Sequence, residues 1–183
     1  MGQSILIRGT NWIGDAIMTF PAIGLVHDLF PEARLHLIAR PWVAPVYKCH
    51  PDIQKILVCQ EGPGLINRLL RPFNTSKQIA PQGYSKGILF PNSFESALEF
   101  RIAGIPEILG YATDARRILL TRAVPIPEDK EKRHHIWYYL DLVKHLAEQG
   151  TQSVKPSTDI KLCLPEKELK KAETFLSGLL NRY

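Results

Sequence analysis

The sequence predicts a doubly wound α/β domain, with a mainly parallel sheet and helices on both of its faces. Two observations carry that expectation. Short β-like apolar runs alternate with longer runs of helical period along the chain, and glycines and prolines punctuate the junctions. The 183 residues suffice for one domain with its own core. At 45 % hydrophobic and 22 % charged, the composition argues against disorder.

Residues 4–8 read as a first strand, ended by Gly9. Residues 16–30 carry Ile17, Phe20, Ile23, Val26 and Phe30 on one side of a helix that stops at Pro31 and has Asp15 in its first turn. A second strand alternates over 34–39, a short helix covers 43–48 before Pro51, and a third strand covers 55–59. The stretch 62–83 is the least regular: one or two helical turns fit 65–70, and Pro72, Pro81 and Gly83 break it. A strand over 87–90, a helix over 93–103 and strands at 108–111 and 118–120 follow, and then a charged, proline-bearing loop over 125–132. Residues 134–149 repeat Ile136, Tyr139, Leu140, Val143 and Leu146 at helical spacing, with Gly150 as the stop. The chain closes with a strand over 159–164 and a helix over 165–180 that has Pro at its first position. Residues 1–164 are therefore expected to form the domain, and 165–183 a closing helix or the start of a linker.

Several function classes are disfavoured. Cys49, Cys59 and Cys163 are odd in number, far apart and without a CxxC pair, which suits buried free thiols in a reducing cytoplasm better than disulfides or zinc. The segment from Met1 to Arg8 lacks the pattern of a signal peptide. No apolar run approaches the roughly 20 residues that cross a bilayer, so a cytoplasmic protein is expected, not membrane-spanning but able to touch a membrane surface. The net charge is +5, and no Asp or Glu occurs from Gly62 through Phe94 while Arg68, Arg71, Lys77 and Lys86 all do. Such a stretch attracts anions, or is simply a solvated loop. No nucleic-acid-binding signature accompanies it.

In open α/β sheets ligands gather at the carboxyl ends of the strands. The first such place is Gly9-Thr10-Asn11-Trp12-Ile13-Gly14-Asp15. Gly9 and Gly14 are expected to permit a positive φ and close backbone approach by a ligand, beside the unpaired N–H groups of the following helix. The loop lacks the Lys-Ser/Thr of a phosphate-binding loop and the G-x-G-x-x-G of a dinucleotide site. Asp15 either complements the helix dipole, worth roughly 0.3–1 kcal/mol, or acts as a general base on a sugar hydroxyl. Trp12 is either a core residue or a surface on which a sugar stacks.

Three segments, in order, resemble one family. Ile5 through Asp15 is similar to its strand, loop and W-[IV]-G-D. Leu89-Phe90-Pro91-Asn92-Ser93-Phe94-Glu95-Ser96-Ala97-Leu98 is similar to its P-N-S-F-x-S-A-L. Ala103-Gly104-Ile105-Pro106, Gly110 through Arg117, and Leu119-Leu120-Thr121 complete the set, with Tyr138-Tyr139-Leu140 fitting as well. The family is the lipopolysaccharide heptosyltransferases of glycosyltransferase family 9. W-I-G-D with P-N-S-F points to the heptosyltransferase II branch, and the likeness covers its N-terminal half.

The resemblance implies a GT-B enzyme whose Rossmann-like N-terminal domain holds a lipid-linked acidic sugar acceptor at the inner membrane surface. A C-terminal domain would hold the donor, ADP-heptose. L-glycero-D-manno-heptose would be transferred with inversion, without metal or other cofactor. By the family's motif the catalytic base falls on Asp15, beside the substrate-loop residues Thr10, Asn11, Trp12 and Gly14. Asn92, Ser93 and Ser96 are candidates for acceptor hydroxyls or phosphate, with N-capping the alternative for Ser93. Arg116 and Arg117 are candidates for acceptor phosphate and carboxylate groups, which a guanidinium grips bidentately. Glu95 and Ile108 depart from the family, where basic residues are expected. With the donor half missing, this chain alone is expected not to transfer heptose. The alternatives are a non-catalytic sugar- or anion-binding module and an unrelated flavodoxin-like nucleotide-binding domain.

Overall fold

The computed structural model describes residues 2–59, 64–113, 115–147, 155–164 and 166–180. Six strands, β1 (Ser4–Arg8), β2 (Arg34–Ala39), β3 (Lys55–Val58), β4 (Lys86–Leu89), β5 (Glu107–Tyr111) and β6 (Arg122–Val124), form one sheet in the order β3-β2-β1-β4-β5-β6. Every pairing is parallel. The order reverses between β1 and β4, which opens a crevice at their carboxyl ends. This is the Rossmann-like order and not that of a flavodoxin-like fold.

Side chains alternate across the sheet as strand geometry requires. Ile5, Ile7, Leu35, Leu37, Ile88 and Leu109 pack under α2 (Phe20–Leu29) and α6 (His135–Lys144), with Phe20, Ile23, Val26, Leu140 and Val143 closing that core. Leu6, Ile38, Leu57, Leu89 and Ile108 face the other way, against Ala97 and Phe100 of α5 (Phe94–Ile102) and Ile79 of α4 (Leu65–Ile79). A Cβ on Gly87 would stand 2.5 Å from the Phe100 ring, so glycine is what lets α5 lie so close to β4.

The structure corrects several expectations. The helix expected over 16–30 starts earlier and is two: α1 (Ile13–Met18) and α2, parted at Thr19. Pro21 cannot donate to the turn before it, and Thr19 Oγ1 instead donates to the Ala16 carbonyl at 2.6 Å. The short helix near 43–48 is α3 (Ala44–Tyr47). Helix α4 runs through Pro72, the residue expected to break it. A proline inside a helix costs roughly 3 kcal/mol, and here the helix packs along α5 with Pro72, Thr75, Ser76 and Ile79 on its buried side. The strand expected at 118–120 is a 3-10 turn over Arg116–Leu119, and the sheet's last strand, β6, follows it. No strand forms over 159–164; that segment touches the domain through the Cys163 N–H, which donates to the Cys49 carbonyl at 2.7 Å. Helix α6 caps at His145, and the expected stop at Gly150 lies outside the described residues. Helix α7 (Glu166–Leu180) follows, and the expected opening Pro165 also lies outside them. The cysteines are free, yet only Cys59 is fully buried and Cys163 is exposed. Among the described residues no helix is long and apolar enough to cross a membrane.

Candidate active site

The crevice between β1 and β4 holds a cleft of about 310 Å³. Three separate stretches of the described chain line it. Thr10, Asn11, Trp12 and Asp15 come from the β1–α1 connection, Phe90, Pro91, Asn92 and Ser93 from the β4–α5 connection, and Lys130, His135, Tyr138 and Tyr139 from α6 and the loop before it. A larger hollow of about 770 Å³ lies along α7; among the described residues Glu166, Lys170, Lys171, Thr174 and Phe175 line it, all from that one helix.

Asp15 stands in the first turn of α1, half-buried at this cleft. Its carboxylate makes no side-chain hydrogen bond or ion pair with any described residue. Thr10 is nearly buried and held by Tyr47: its N–H donates to Tyr47 Oη at 3.0 Å, and its hydroxyl lies 3.2 Å from the same oxygen. Asn11 offers its carbonyl to Trp42 Nε1 at 2.9 Å, while its own Oδ1 is buried without a partner among the described residues. Trp12 is not a core residue. It is 75 % exposed at the rim, available as a stacking surface.

The positive φ expected at the two glycines does not occur. Neither Gly9 nor Gly14 has a positive φ. A Cβ on Gly9 would meet the Tyr47 ring at 2.7 Å, so the close approach there is Tyr47's and not a ligand's. Gly14 is exposed on α1, with open space around it and outside the cleft lining.

Across the cleft, Asn92 Nδ2 donates to Tyr138 Oη at 2.8 Å. Ser93 is the N-cap of α5: its Oγ accepts from the Ser96 N–H at 3.3 Å, and it lines the cleft as well. Ser96 is buried, with its hydroxyl donating to the Ser93 carbonyl at 2.7 Å, so it shapes the turn and does not reach the cleft.

Arg116 requires the larger correction. It is 0 % exposed, and its guanidinium donates to the carbonyls of Tyr111 at 2.8 Å, Pro91 at 2.5 Å and Ser93 at 3.2 Å, and to Asn92 Oδ1 at 3.4 Å. A fork spent on backbone oxygens orders the 91–93 turn; it cannot grip an acceptor anion. Ala115, held at φ 55, starts the 3-10 turn that aims it inward. Arg117 is exposed and outside the cleft lining. Glu95, the departure from family pattern, lies between two cations, with Oε1 3.5 Å from Arg40 and 3.4 Å from Arg71.

Lys130, His135, Tyr138 and Tyr139 are the cleft residues that the loop motifs did not reveal. His135 stacks on the Tyr138 ring with centroids 5.2 Å apart, and Lys130 Nζ lies over the Tyr138 ring, 5.2 Å from its centroid. Burial pushes the Tyr139 phenol up, and the nearby Asp15 charge adds to the shift. Tyr138 is raised by burial too, against the pull of Asn92 and Arg116. Both phenols therefore stay protonated as donors at neutral pH. Among the described residues no group of three or more His, Cys, Asp or Glu could hold a metal ion.

The chain is similar to known proteins. The chain is 29 % identical to lipooligosaccharide heptosyltransferase 2 of Haemophilus ducreyi over 118 residues, 64 % of this chain and 33 % of that protein. It is 28 % identical to lipopolysaccharide heptosyltransferase 2 of Escherichia coli over 118 residues, 64 % of this chain and 34 % of that one. The chain thus spans about a third of the length of the curated relatives it matches. Its fold resembles the solved ADP-heptose lipopolysaccharide heptosyltransferase II of E. coli at TM-score 0.75 and 22 % identity, covering 96 % of this chain and 51 % of that one. It also resembles a family 9 glycosyl transferase of Veillonella parvula at TM-score 0.81 and 17 % identity, covering 96 % and 49 %. The model of glycosyltransferase family 9 (heptosyltransferase) matches residues 73–179, more than half of the sequence, and the chain belongs to that family.

Proposed function

We propose that this chain supplies the acceptor-binding half and the catalytic base of a heptosyltransferase. The whole enzyme moves L-glycero-D-manno-heptose from ADP-heptose to an inner-core heptose or Kdo–lipid A acceptor, at the cytoplasmic face of the inner membrane. One observation carries the chemistry: the Asp15 carboxylate stands at the crevice of a parallel sheet with no structural partner among the described residues. A carboxylate committed to a salt bridge would be a poor proton acceptor; this one is unspent.

In the proposed step an acceptor hydroxyl oxygen attacks the anomeric carbon of the donor from the face opposite ADP. The hydroxyl proton passes to Asp15, the bond from the anomeric carbon to the diphosphate oxygen breaks, and ADP leaves with that electron pair. Asn11 and Ser93 present polar atoms to the sugar hydroxyls, and Trp12 offers a face for stacking. Lys130 and His135 line the same cleft as Asn92 and Tyr138, and they suit the acidic groups of such an acceptor. In this reading they take the role expected of Arg116. The donor is assigned to a second domain.

The test is an assay of the full reading frame with ADP-heptose and a heptose-deficient core acceptor. One added heptose per acceptor, with release of ADP and inverted anomeric configuration, is the expected product. Failure to use ADP-heptose with any inner-core acceptor overturns the reading.

A further inference from the structure

Among the described residues, helix α4 keeps an apolar face uncovered. Leu69 is 68 % exposed, Leu70 46 % and Phe73 48 %, and Phe94 at the first position of α5 is 41 % exposed. The opposite side of α4 (Pro72, Thr75, Ser76, Ile79) is buried where the helix packs along α5. The two faces are thus clearly separated, and the outward one continues from the apolar group to Asn74 and Lys77.

The charge around that face is net positive. No acid occurs from Gly62 through Phe94. Arg71 lies beside the apolar group, Lys77 is exposed on the same helix, and Arg101 is exposed on α5. The adjoining acid, Glu95, has Oε1 shared between Arg40 and Arg71, so it offsets charge there and leaves Lys77 and Arg101 as the exposed cations. An amphipathic helix with apolar residues outward and basic residues at its margin fits the plane of a lipid interface, where each cation near an anionic surface adds attraction.

We propose that α4 and the first turn of α5 dock this chain on an anionic phospholipid bilayer. Leu69, Leu70, Phe73 and Phe94 enter the headgroup boundary, and Lys77 meets lipid phosphates. Charge complementarity selects this occupant, because a second copy would bring the same positive charge against itself. Phe94 directly follows Asn92 and Ser93, so docking holds the cleft at the membrane surface. The inference extends the proposed function only in that placement, and docking itself does not involve Asp15.

The experiment is co-sedimentation of the chain with two sets of vesicles, phosphatidylcholine alone and phosphatidylcholine mixed with phosphatidylglycerol. The chain is expected to bind the mixed vesicles and not the neutral ones, and to release at high salt. Leu69→Ser with Phe73→Ser should lower binding at least about tenfold, since both side chains lose apolar burial in the interface. Lys77→Gln, a change at an exposed position that keeps the apolar face, should lower it by about fivefold. Equal binding to both vesicles, no binding to either, or unaltered binding by folded variants overturns the proposal. So does a dimer in solution that the apolar substitutions dissociate while vesicles stay unbound, which assigns the face to a second copy. Loss of heptose transfer in an Asp15 variant with vesicle binding intact separates this proposal from the catalytic one.

Discussion

Arg8 Nε donates to Glu99 Oε2 at 2.9 Å, in an ion pair whose side chains are 2 % and 0 % exposed. It lies beneath the crevice, where the last residue of β1 meets α5 on the face that also carries Leu6. Burial pushes the Glu99 carboxyl up against the pull of Arg8, and Glu99 Oε1 has no partner among the described residues. Removing one member strands the other without water. Glu99→Ala and Arg8→Ala are each expected to cost about 3–5 kcal/mol, while replacing both with apolar residues of similar volume should cost much less. Denaturant melts of the three variants check this.

Arg116 and Arg117 are neighbours in sequence with opposite roles. Arg116→Lys removes the fork that binds the carbonyls of Tyr111, Pro91 and Ser93, and a loss of about 1.5–3 kcal/mol is expected. Arg117→Ala, at an exposed position, should change stability by no more than about 0.5 kcal/mol. Equal effects in chemical denaturation would contradict the buried placement.

Gly9 faces the Tyr47 ring at a distance that no Cβ tolerates. Gly9→Ala should therefore cost about 1–3 kcal/mol through overpacking. It should also disturb the Tyr47 bonds to Thr10, and hence the loop that carries Asp15. A thermal melt within a degree of the parent would refute it.

His50 fixes a pH dependence. Its Nε2 lies 3.0 Å from the Phe20 carbonyl and its Nδ1 accepts from the Asp52 N–H at 3.2 Å, an arrangement for the neutral ring. Burial holds its pKa below the ordinary histidine value, although the Phe20 carbonyl and Asp52 pull the other way. His36 is lowered likewise by burial, then by Lys55 and Arg34. The unfolded chain takes up protons at these rings before the folded one does. Stability should thus be fully present above the ordinary histidine pKa of about 6.5 and decline as pH falls through and below it. His50→Gln should flatten that slope. Melts across this range that show no such decline, or an unchanged slope in the variant, would refute the assignment.

Where the chain's own period decided structure, the sequence was legible. The alternation at 34–39 and the stop at Gly9 fall on β2 and the end of β1, and the W-I-G-D and P-N-S-F segments come together at one cleft. Tertiary packing hid the rest. Pro72 reads as a breaker, yet burial against α5 keeps α4 whole. Ile160, Leu162 and Leu164 alternate like a strand but find no neighbouring strand and stay exposed. Lys130 and His135 carry no motif, and only the fold brings them to Asn92. Arginine suggests an anion in sequence; five donors serve backbone carbonyls equally well, and burial alone told Arg116 from Arg117.

The most direct measurement is kcat of the full reading frame carrying Asp15→Asn, with acceptor affinity measured alongside. The amide keeps the shape of the side chain and cannot take a proton, so kcat should fall by about 10²–10⁴-fold with affinity preserved. Turnover near that of the parent would leave Asp15 as a residue that merely complements the helix dipole, with the proton going elsewhere.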